Sequence, residues 1–293
     1  MTLSGATDLR LFTPEVQALQ PERRVTMPVA CRGRRIHKVA RRAQLWHELA
    51  QFGSGAGGSG RRYGGAEDMT ISIAGRCERT GMLGVAISSS SPCVAARCAF
   101  ARAGVGAVLS QNITDPRLGP RALDLMQSRL SAPEAVARIV TEIGPVAAFR
   151  QLVVVDTRGE TAVHNGVRAL GTHASARGTG CAAAGNLLAN PGVPQAMIAT
   201  FMAEPGLHLA ERLLLSLEAG LVRGGEAGPL RSAGLLVVDR QPWPLVDLRC
   251  DWEEAPISRL AGLWNIYKPQ MNDYVTRALD PAASPTFGVP GDP

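Results

Sequence analysis

The chain has 293 residues, of which 45% are hydrophobic, enough to build a sizeable core in one large or two small domains. It contains no uncharged apolar stretch of about 18 residues or more, which excludes a membrane-spanning helix. The net charge of +6 is uneven, because residues 1–68 hold eleven basic and six acidic residues and leave +1 for residues 69–293. Such a nearly neutral segment is not suited to neutralising phosphates, so we expect neither nucleic acid nor a membrane as a partner.

The spacing of cysteine and histidine does not indicate a metal site. The six cysteines form no Cys-x-x-Cys pair, and no two of the five histidines lie four residues apart. We therefore expect no metal and no cofactor. A long chain without a secretory signal favours reduced thiols and a cytoplasmic location.

Residues 1–68 lack the apolar periodicity of a folded domain and end in a glycine- and serine-rich run at 53–60. We interpret them as a leader that is either untranslated in the cell or disordered, with the functional chain starting at Met69. An organelle presequence or an RNA-binding arm are alternatives, but both need a purpose that the rest of the chain does not supply.

From residue 70 onward the pattern alternates between strands and paired helices. The predicted strands are 70–74, 83–88, 105–111, 151–156, 161–165, 181–185, 232–239 and 245–250. The predicted helices are 120–129, 131–143, 193–203, 208–222 and 256–264, the second opened by the capping box Ser131 to Glu134. Paired helices between groups of hairpin-linked strands predict an α/β (α+β) fold, a four-layer αββα sandwich over residues 69–270. Residues 271–293 are predicted to be an irregular proline-rich tail.

Several runs of this sequence resemble one known family. They are Met-Thr-Ile-Ser-Ile-Ala at 69–74, Leu-Gly-Val-Ala-Ile-Ser at 83–88, Ala-Arg-Ala-Gly-Val-Gly-Ala-Val at 101–108, Gln-Asn-Ile-Thr-Asp-Pro at 111–116, Gly-Pro-Arg-Ala-Leu-Asp-Leu at 119–125, Arg-Gln-Leu-Val-Val-Val-Asp at 150–156, Ala-Gly-Asn-Leu-Leu-Ala at 184–189 and Leu-Ala-Glu-Arg-Leu-Leu at 209–214. The chain resembles the DUF1028 family, which is assigned to the N-terminal-nucleophile (Ntn) hydrolase superfamily. The resemblance implies the αββα sandwich of the Ntn type and a chain that begins with Met69–Thr70.

Thr70 is the candidate nucleophile under this resemblance. A threonine hydroxyl is a poor nucleophile unless a base takes its proton, and an amino-terminal threonine supplies that base through its own α-amine. Thr70 has this amine only after Met69 is removed. The function that follows is hydrolysis of a C–N amide bond of a small molecule. The alternative is a non-catalytic ligand-binding or assembly protein, in which Thr70 is an ordinary strand residue.

Two further residues are candidates for the catalytic machinery. Asn186 follows a glycine at a strand end and can offer an amide donor to an oxyanion, or it can be a turn residue. Arg102 lies on the approach to the third strand, where the resemblance to other Ntn hydrolases implies a cation near the nucleophile. The alternative for Arg102 is an ordinary surface arginine.

Four polar residues are candidates for substrate binding. Gln111, Asn112 and Asp115 cluster after the third strand, where they suit either recognition or a turn. Ser88 ends the second strand and could face Thr70 across the hairpin.

A rival nucleophile and a homo-oligomer are also considered. Cys181 could pair with His164 or His173, although no nucleophile motif surrounds it. We expect a homodimer or higher homo-oligomer, in which the proline-rich tail packs on a partner copy.

Overall fold

The computed structural model describes residues 70–286 and Gly288, all within one compact unit that spans 59–293. The predicted leader at 1–68 therefore lies outside the described residues. The strands are β1 (Thr70–Arg76), β2 (Leu83–Ser89), β3 (Ala99–Arg102), β4 (Gly106–Gln111), β5 (Gln151–Asp156), β6 (Thr161–Asn165), β7 (Ala174–Gly178), β8 (Cys181–Asn186), β9 (Ser232–Val238) and β10 (Val246–Cys250). The α-helices are α1 (Val94–Cys98), α2 (Leu118–Gln127), α3 (Ala132–Ile143), α4 (Val193–Ala203), α5 (Leu209–Val222), α6 (Pro256–Tyr267) and α7 (Met271–Leu279). None of these helices has the length and apolar character needed to cross a membrane.

The first sheet has six antiparallel strands in the order β10-β9-β2-β1-β8-β7, so β1 lies near its centre. In this register Thr70 lies opposite Ser89 on one side and opposite Asn186 on the other. Because side chains alternate along a strand, Thr70 and Ser72 point to one face of the sheet while Ile71 points to the other.

The second sheet has four antiparallel strands in the order β3-β4-β5-β6. Gln111 ends β4 and lies opposite Gln151, which begins β5 and lies opposite Asn165 at the end of β6. The register therefore collects three amide side chains at one end of this sheet, on one face.

The two sheets pack face to face through a core of small and branched residues. This inter-sheet core contains Ala74, Ile87, Ala107, Leu109, Val153, Val155, Ala182 and Ala184, all fully buried. We call the face of each sheet that points into this core its inner face. Side chains two residues apart on a strand point to the same face. The inner faces therefore also carry Thr70, Gln111, Gln151 and Asn186.

Helices cover the outer face of each sheet. On the first sheet, α4, α5 and α6 bury a core that includes Ile71, Ile73, Phe201, Leu213, Leu217 and Trp264. On the second sheet, α2 and α3 bury Val108, Leu123, Ile139, Leu152 and Val154. The result is a mixed α+β fold with two antiparallel sheets, each shielded from solvent on its outer side by amphipathic helices.

The predicted capping box is confirmed at the start of α3. The Ser131 side chain accepts from the Glu134 backbone nitrogen, and the Glu134 side chain accepts from the Ser131 backbone nitrogen at 2.7 Å. Each side chain thus accepts a hydrogen bond from a backbone N–H group that has no partner within the helix.

Among the α-helices and strands of residues 70–286, α1, β3, β7 and α7 were not predicted from the sequence pattern. The irregular tail was expected to begin at residue 271, and this prediction is wrong for its first part because Met271–Leu279 forms α7. Met271 is buried against the core of the first sheet, and the ring of Tyr274 stacks on that of Tyr267 at 5.7 Å between centroids. These contacts supply the burial that a short isolated helix needs.

Candidate active site

Thr70 lies at the first position of β1 with its side chain on the inner face and is only 5% exposed. Its Oγ1 donates a hydrogen bond to the Oγ of Ser89, the residue opposite it on β2, at 3.2 Å. A buried hydroxyl is costly unless it is paired, and this bond gives the Thr70 hydroxyl a partner.

A chain of hydroxyl groups connects Thr70 to a cation. The Oγ atoms of Ser89 and Ser91 lie 3.0 Å apart, and the Ser91 backbone nitrogen donates to the Ser89 Oγ at 3.2 Å. Arg97 donates from Nη2 to the Ser91 Oγ and from Nη1 to the Pro92 carbonyl. The positive charge nearest to Thr70 in this network therefore comes from α1, a helix that the sequence pattern did not predict.

Thr70 also borders a cavity of about 230 Å³, which we call the Thr70 cavity. Its other lining residues are Ser91, Val94, Arg97, Cys98, Asn112, Ile113, Thr114 and Leu170. This volume is below the roughly 300–1,000 Å³ of pockets for drug-sized ligands, so the cavity suits a small compound or one end of a longer one.

A network of amide side chains crosses between the sheets beside Thr70. The Ser72 Oγ donates to the Gln111 Oε1 at 2.6 Å, and the Gln111 Nε2 donates to the Gln151 Oε1 at 2.6 Å. Gln151 in turn donates from Nε2 to the Asn165 Oδ1 at 2.8 Å and to the Gly185 carbonyl at 3.1 Å. Buried groups that are satisfied in this way fix one another's positions, and both Gln111 and Gln151 of the second sheet form hydrogen bonds with residues of the first sheet.

Asn186 completes this network and is fully buried. Its Nδ2 donates to the Gln151 Oε1 at 3.2 Å, while its Oδ1 has no hydrogen-bond partner among the described residues. The hydrogen-bond partners determine how the Asn186 amide is oriented. The Gly185 carbonyl can only accept, so the Gln151 atom that contacts it must be the amide nitrogen. The Gln151 oxygen therefore faces Asn186, and the Asn186 atom that contacts it must be the nitrogen. Asn186 is a candidate donor to an oxyanion, and this role stays a prediction, because Gln151 takes one of the two hydrogens on its amide nitrogen. The Oδ1 is in addition a buried acceptor without a partner among the described residues.

Arg102 is not near Thr70. It lies opposite Gly106 at the start of β4, whereas the Thr70 end of the sandwich is marked by Gln111 at the end of β4. Five residues of strand separate these positions by roughly 17 Å. Its guanidinium is on the outer face, where it pairs with Asp124 at 3.0 Å and contacts Gln127. The prediction that Arg102 supplies the cation is therefore wrong, because strand parity points its side chain to the helices.

Ser88 also points away from Thr70. It lies opposite Ile71 on the outer face, and its Oγ donates to the Ser232 carbonyl at 2.8 Å. The residue that faces Thr70 is the next one, Ser89. Neighbouring residues of a strand point to opposite faces of the sheet. A run of serines in the sequence therefore does not show which serine points towards Thr70.

Of the three residues predicted for recognition, Gln111, Asn112 and Asp115, Asn112 borders the Thr70 cavity. Its Nδ2 donates to the Phe149 carbonyl at 2.5 Å, and its Oδ1 accepts from the Leu170 nitrogen at 3.1 Å, so its amide group ties two loops together. Gln111 belongs to the amide network described above.

Asp115 is a turn residue in this structure. Its carboxylate accepts from the backbone and the guanidinium of Arg117, which holds the pKa of Asp115 below its usual value. This pairing accounts for its polar character without a ligand.

The rival nucleophile Cys181 is poorly suited to catalysis. It lies opposite Gly75 on the outer face of the first sheet, and burial raises the pKa of its thiol to about 11. Such a thiol is protonated near neutral pH and is a weak nucleophile. Of its proposed partners, His164 lies on the second sheet with Nε2 2.8 Å from the Ala147 carbonyl, and His173 contacts the Gly171 carbonyl. Within 70–286, no three histidine, cysteine or acidic residues are grouped as a metal site would require.

The comparisons with known proteins agree with the motifs of the sequence. Residues 70–260 match the model of DUF1028, a family of unknown function, and the chain belongs to this family. The structure is similar to the crystal structure of the DUF1028 protein SPO2555 from Silicibacter pomeroyi, with a TM-score of 0.63. The two are 27% identical, and the match covers 68% of this chain and 89% of that one. No curated protein matches the chain.

Proposed function

We propose that the protein is an Ntn-type hydrolase that cleaves a C–N amide bond of a small molecule with the Thr70 hydroxyl as nucleophile. The observation that carries this proposal is the position of Thr70, which is buried at one end of a central strand and borders the Thr70 cavity. Two antiparallel sheets packed face to face, with helices on both outer sides, support the αββα sandwich of the Ntn type.

The chemistry requires Thr70 to be the first residue. Oγ1 attacks the amide carbon, and its proton passes through the α-amine to the leaving nitrogen as the C–N bond breaks. The resulting ester on Oγ1 is cleaved by water, which the α-amine deprotonates, and the acid leaves as the Thr70 hydroxyl regains its proton. An amide nitrogen, such as that of Thr70 still joined to Met69, is not basic and cannot act in either step.

Two features beside Thr70 support this assignment of roles. The Asn186 Oδ1 is a buried acceptor in need of a donor, and a hydrogen of the α-amine would satisfy it while its lone pair is directed towards Oγ1. The charge of Arg97, transmitted through Ser91 and Ser89, favours the neutral α-amine, which is the form that accepts a proton.

The competing proposal is a non-catalytic ligand-binding protein with the same fold. It is favoured if Thr70 remains joined to Met69 in the cell, because the cavity then lacks a base of this kind. The two proposals therefore differ in whether Thr70 has a free amino group in the cell.

A substitution series at Thr70 tests the enzyme directly. In protein that begins at residue 70, Thr70→Ala removes only the hydroxyl, while Thr70→Ser keeps both the hydroxyl and the amine. We expect Thr70→Ser to retain measurable hydrolysis of at least one member of a panel of small amides, and Thr70→Ala to lose it by 10³-fold or more, on the order of the loss seen when a nucleophile is removed.

A second readout does not depend on knowing the substrate. A β-lactone probe acylates activated hydroxyl groups through its strained ester, and intact mass spectrometry with peptide mapping locates the adduct. We expect acylation at Thr70 in the unmutated protein and none in Thr70→Ala. Equal labelling of both proteins, or unchanged hydrolysis in Thr70→Ala, would refute the proposal.

A further inference from the structure

A second and larger cavity lies at the other end of β1. It has a volume of about 650 Å³ and is lined by residues of the β1 end, the β5–β6 and β7–β8 turns and the loop and first turn of α5. We call it the arginine cleft after four of its lining residues, Arg76, Arg79, Arg158 and Arg212. The length of β1 separates it from Thr70 by about 20 Å, so it is not part of the Thr70 cavity.

The positive charge in the arginine cleft is largely uncompensated. Arg158 pairs with Glu160 at 3.2 Å and with Asp156 at 3.8 Å. In contrast, none of the ion pairs between described residues includes Arg76, Arg79 or Arg212. The lining residues include one acidic side chain, Glu78. Three unpaired guanidinium groups around one concave surface create a local positive field in a domain that is otherwise nearly neutral.

Two of these arginines, Arg76 and Arg212, have side chains with buried polar groups. The Nε of Arg76 is buried and has no hydrogen-bond partner among the described residues. Arg212 is only 6% exposed, and its Nε and Nη2 both donate to the Phe201 carbonyl, at 3.1 and 2.9 Å, while its guanidinium lies over the Phe201 ring. Arg212 is thus held rigidly by Phe201 and by a side-chain hydrogen bond with Cys77, and no carboxylate of the described residues forms an ion pair with its buried charge.

Three glycines, Gly159, Gly180 and Gly206, are among the residues that line the arginine cleft. Gly159 and Gly180 have φ angles of 82° and 66°, and a Cβ on Gly159 would lie 3.4 Å from the Gly180 Cα. The left-handed backbone favours glycine at both positions, so a ligand can approach the main chain closely. Met202 and Pro205 add apolar surface at the side.

We propose that the arginine cleft binds a small organic anion that carries phosphate or several carboxylate groups. Guanidinium groups bind both kinds of oxyanion with paired hydrogen bonds, and the apolar side accommodates the carbon skeleton. A volume of about 650 Å³ is in the range of small-molecule sites and is far larger than one inorganic phosphate requires. This site is independent of the proposed chemistry at Thr70 and stands whether or not the protein is an enzyme.

Isothermal titration calorimetry at low ionic strength tests the proposal, with pyrophosphate and citrate as probes of the two oxyanion classes. The variants are Arg76→Gln and Arg79→Gln, with Arg223→Gln as the matched control. Arg223 is exposed and lies at the end of α5, about 17 Å along the helix from Arg212. Arg212 is left intact, because its bonds to Phe201 give it a structural role.

We expect at least one probe to bind the unmutated protein, and the probe that binds better identifies the oxyanion class. Each of Arg76→Gln and Arg79→Gln should weaken that binding at least tenfold, with Arg223→Gln changing it less than twofold. Arg79 is exposed, so Arg79→Gln is expected to fold even if the substitution at Arg76 disturbs the domain. The proposal is overturned if neither probe binds, or if Arg79→Gln in a folded protein binds as tightly as the control.

Discussion

The amide nitrogen of Asn186 donates to the Oε1 of Gln151 across the two sheets at 3.2 Å, which leaves the Asn186 oxygen as a buried acceptor in the residue opposite Thr70. Gln151 sets this arrangement, since its own orientation is fixed by the Gly185 carbonyl. The acceptor beside the candidate nucleophile therefore depends on a side chain from the other sheet.

Replacing Gln151 should destabilise the domain. Gln151→Leu leaves Gln111, Asn186 and the Gly185 carbonyl with unsatisfied buried groups and removes the donor of the half-buried Asn165. We expect a loss of about 3 kcal/mol or more in the free energy of unfolding. This corresponds to a fall in Tm of roughly 6–12 °C for a domain of this size, measured by calorimetry. The control is Gln195→Leu at an exposed position of α4, and equal melting of the two variants would contradict the role assigned to the network.

The identity of the first residue of the mature chain tests the mechanism in which Thr70 is its own base. Amino-terminal sequencing of protein purified from its native cell should give Thr70 as the first residue, and acetylation of that amine should abolish hydrolysis because an amide nitrogen cannot take the hydroxyl proton. Active protein that begins at Met1 or Thr2 would exclude the mechanism in which Thr70 is its own base.

Arg97 should control the pH dependence of the proposed hydrolysis. Its positive charge favours the neutral α-amine, so Arg97→Gln raises the pKa of that amine. The acidic limb of the kcat/KM profile then moves to higher pH, by about half a unit for one charge that acts through a chain of hydrogen bonds. Arg97→Lys keeps the charge and should restore the limb towards its original position. A profile that is identical in all three proteins would show that Arg97 has only a structural role.

Glu218 on α5 should make stability depend on pH in an uncommon direction. Burial raises the pKa of this half-buried side chain to about 7 from a usual value of 4.5. The folded state then holds a proton that the unfolded state has lost, so the stability due to Glu218 is complete below pH 4.5 and is lost as the pH rises through about 7. The loss is at most about 3–4 kcal/mol, because each pKa unit corresponds to about 1.4 kcal/mol.

Denaturant unfolding at pH 5 and pH 8 measures this effect. Glu218→Gln cannot ionise and should be more stable than the unmutated protein at pH 8, with little difference at pH 5. Glu254→Gln, at an exposed position, is the control. If Glu218→Gln and the unmutated protein lose stability equally between the two pH values, Glu218 is not the source of the dependence.

Local patterns of the sequence predicted much of the fold. The alternation in Thr70–Arg76, the capping box at Ser131 and the burial of Leu209, Leu213 and Leu217 on α5 all follow from periodicity or from short-range hydrogen bonds. Leu221 continues the same four-residue spacing but is 45% exposed, because the stripe turns away from the sheet near the end of the helix.

The candidate site was harder to predict because it depends on parity and long-range pairing. Ser88 and Ser89 are chemically identical, and only the register of β1 against β2 decides which one contacts Thr70. Arg97 and Arg102 are only five residues apart in the sequence. Arg97 contacts the serines beside Thr70 because it lies on α1, whereas Arg102 lies on β3 and points to the outer face. Gln151 looks like the start of an ordinary strand, and its role emerges only when the sheets are stacked.

The alanines of the inter-sheet core act as spacers for this arrangement. Ala182 and Ala184 lie on the same face of β8 as Asn186 and are fully buried against the second sheet. Their single methyl groups allow the sheets to come close enough for Gln151 to reach the Gly185 carbonyl. The dimensions of the Thr70 site are therefore set in part by residues that have no polar atoms in their side chains, and a larger side chain there would disturb the site from within the core.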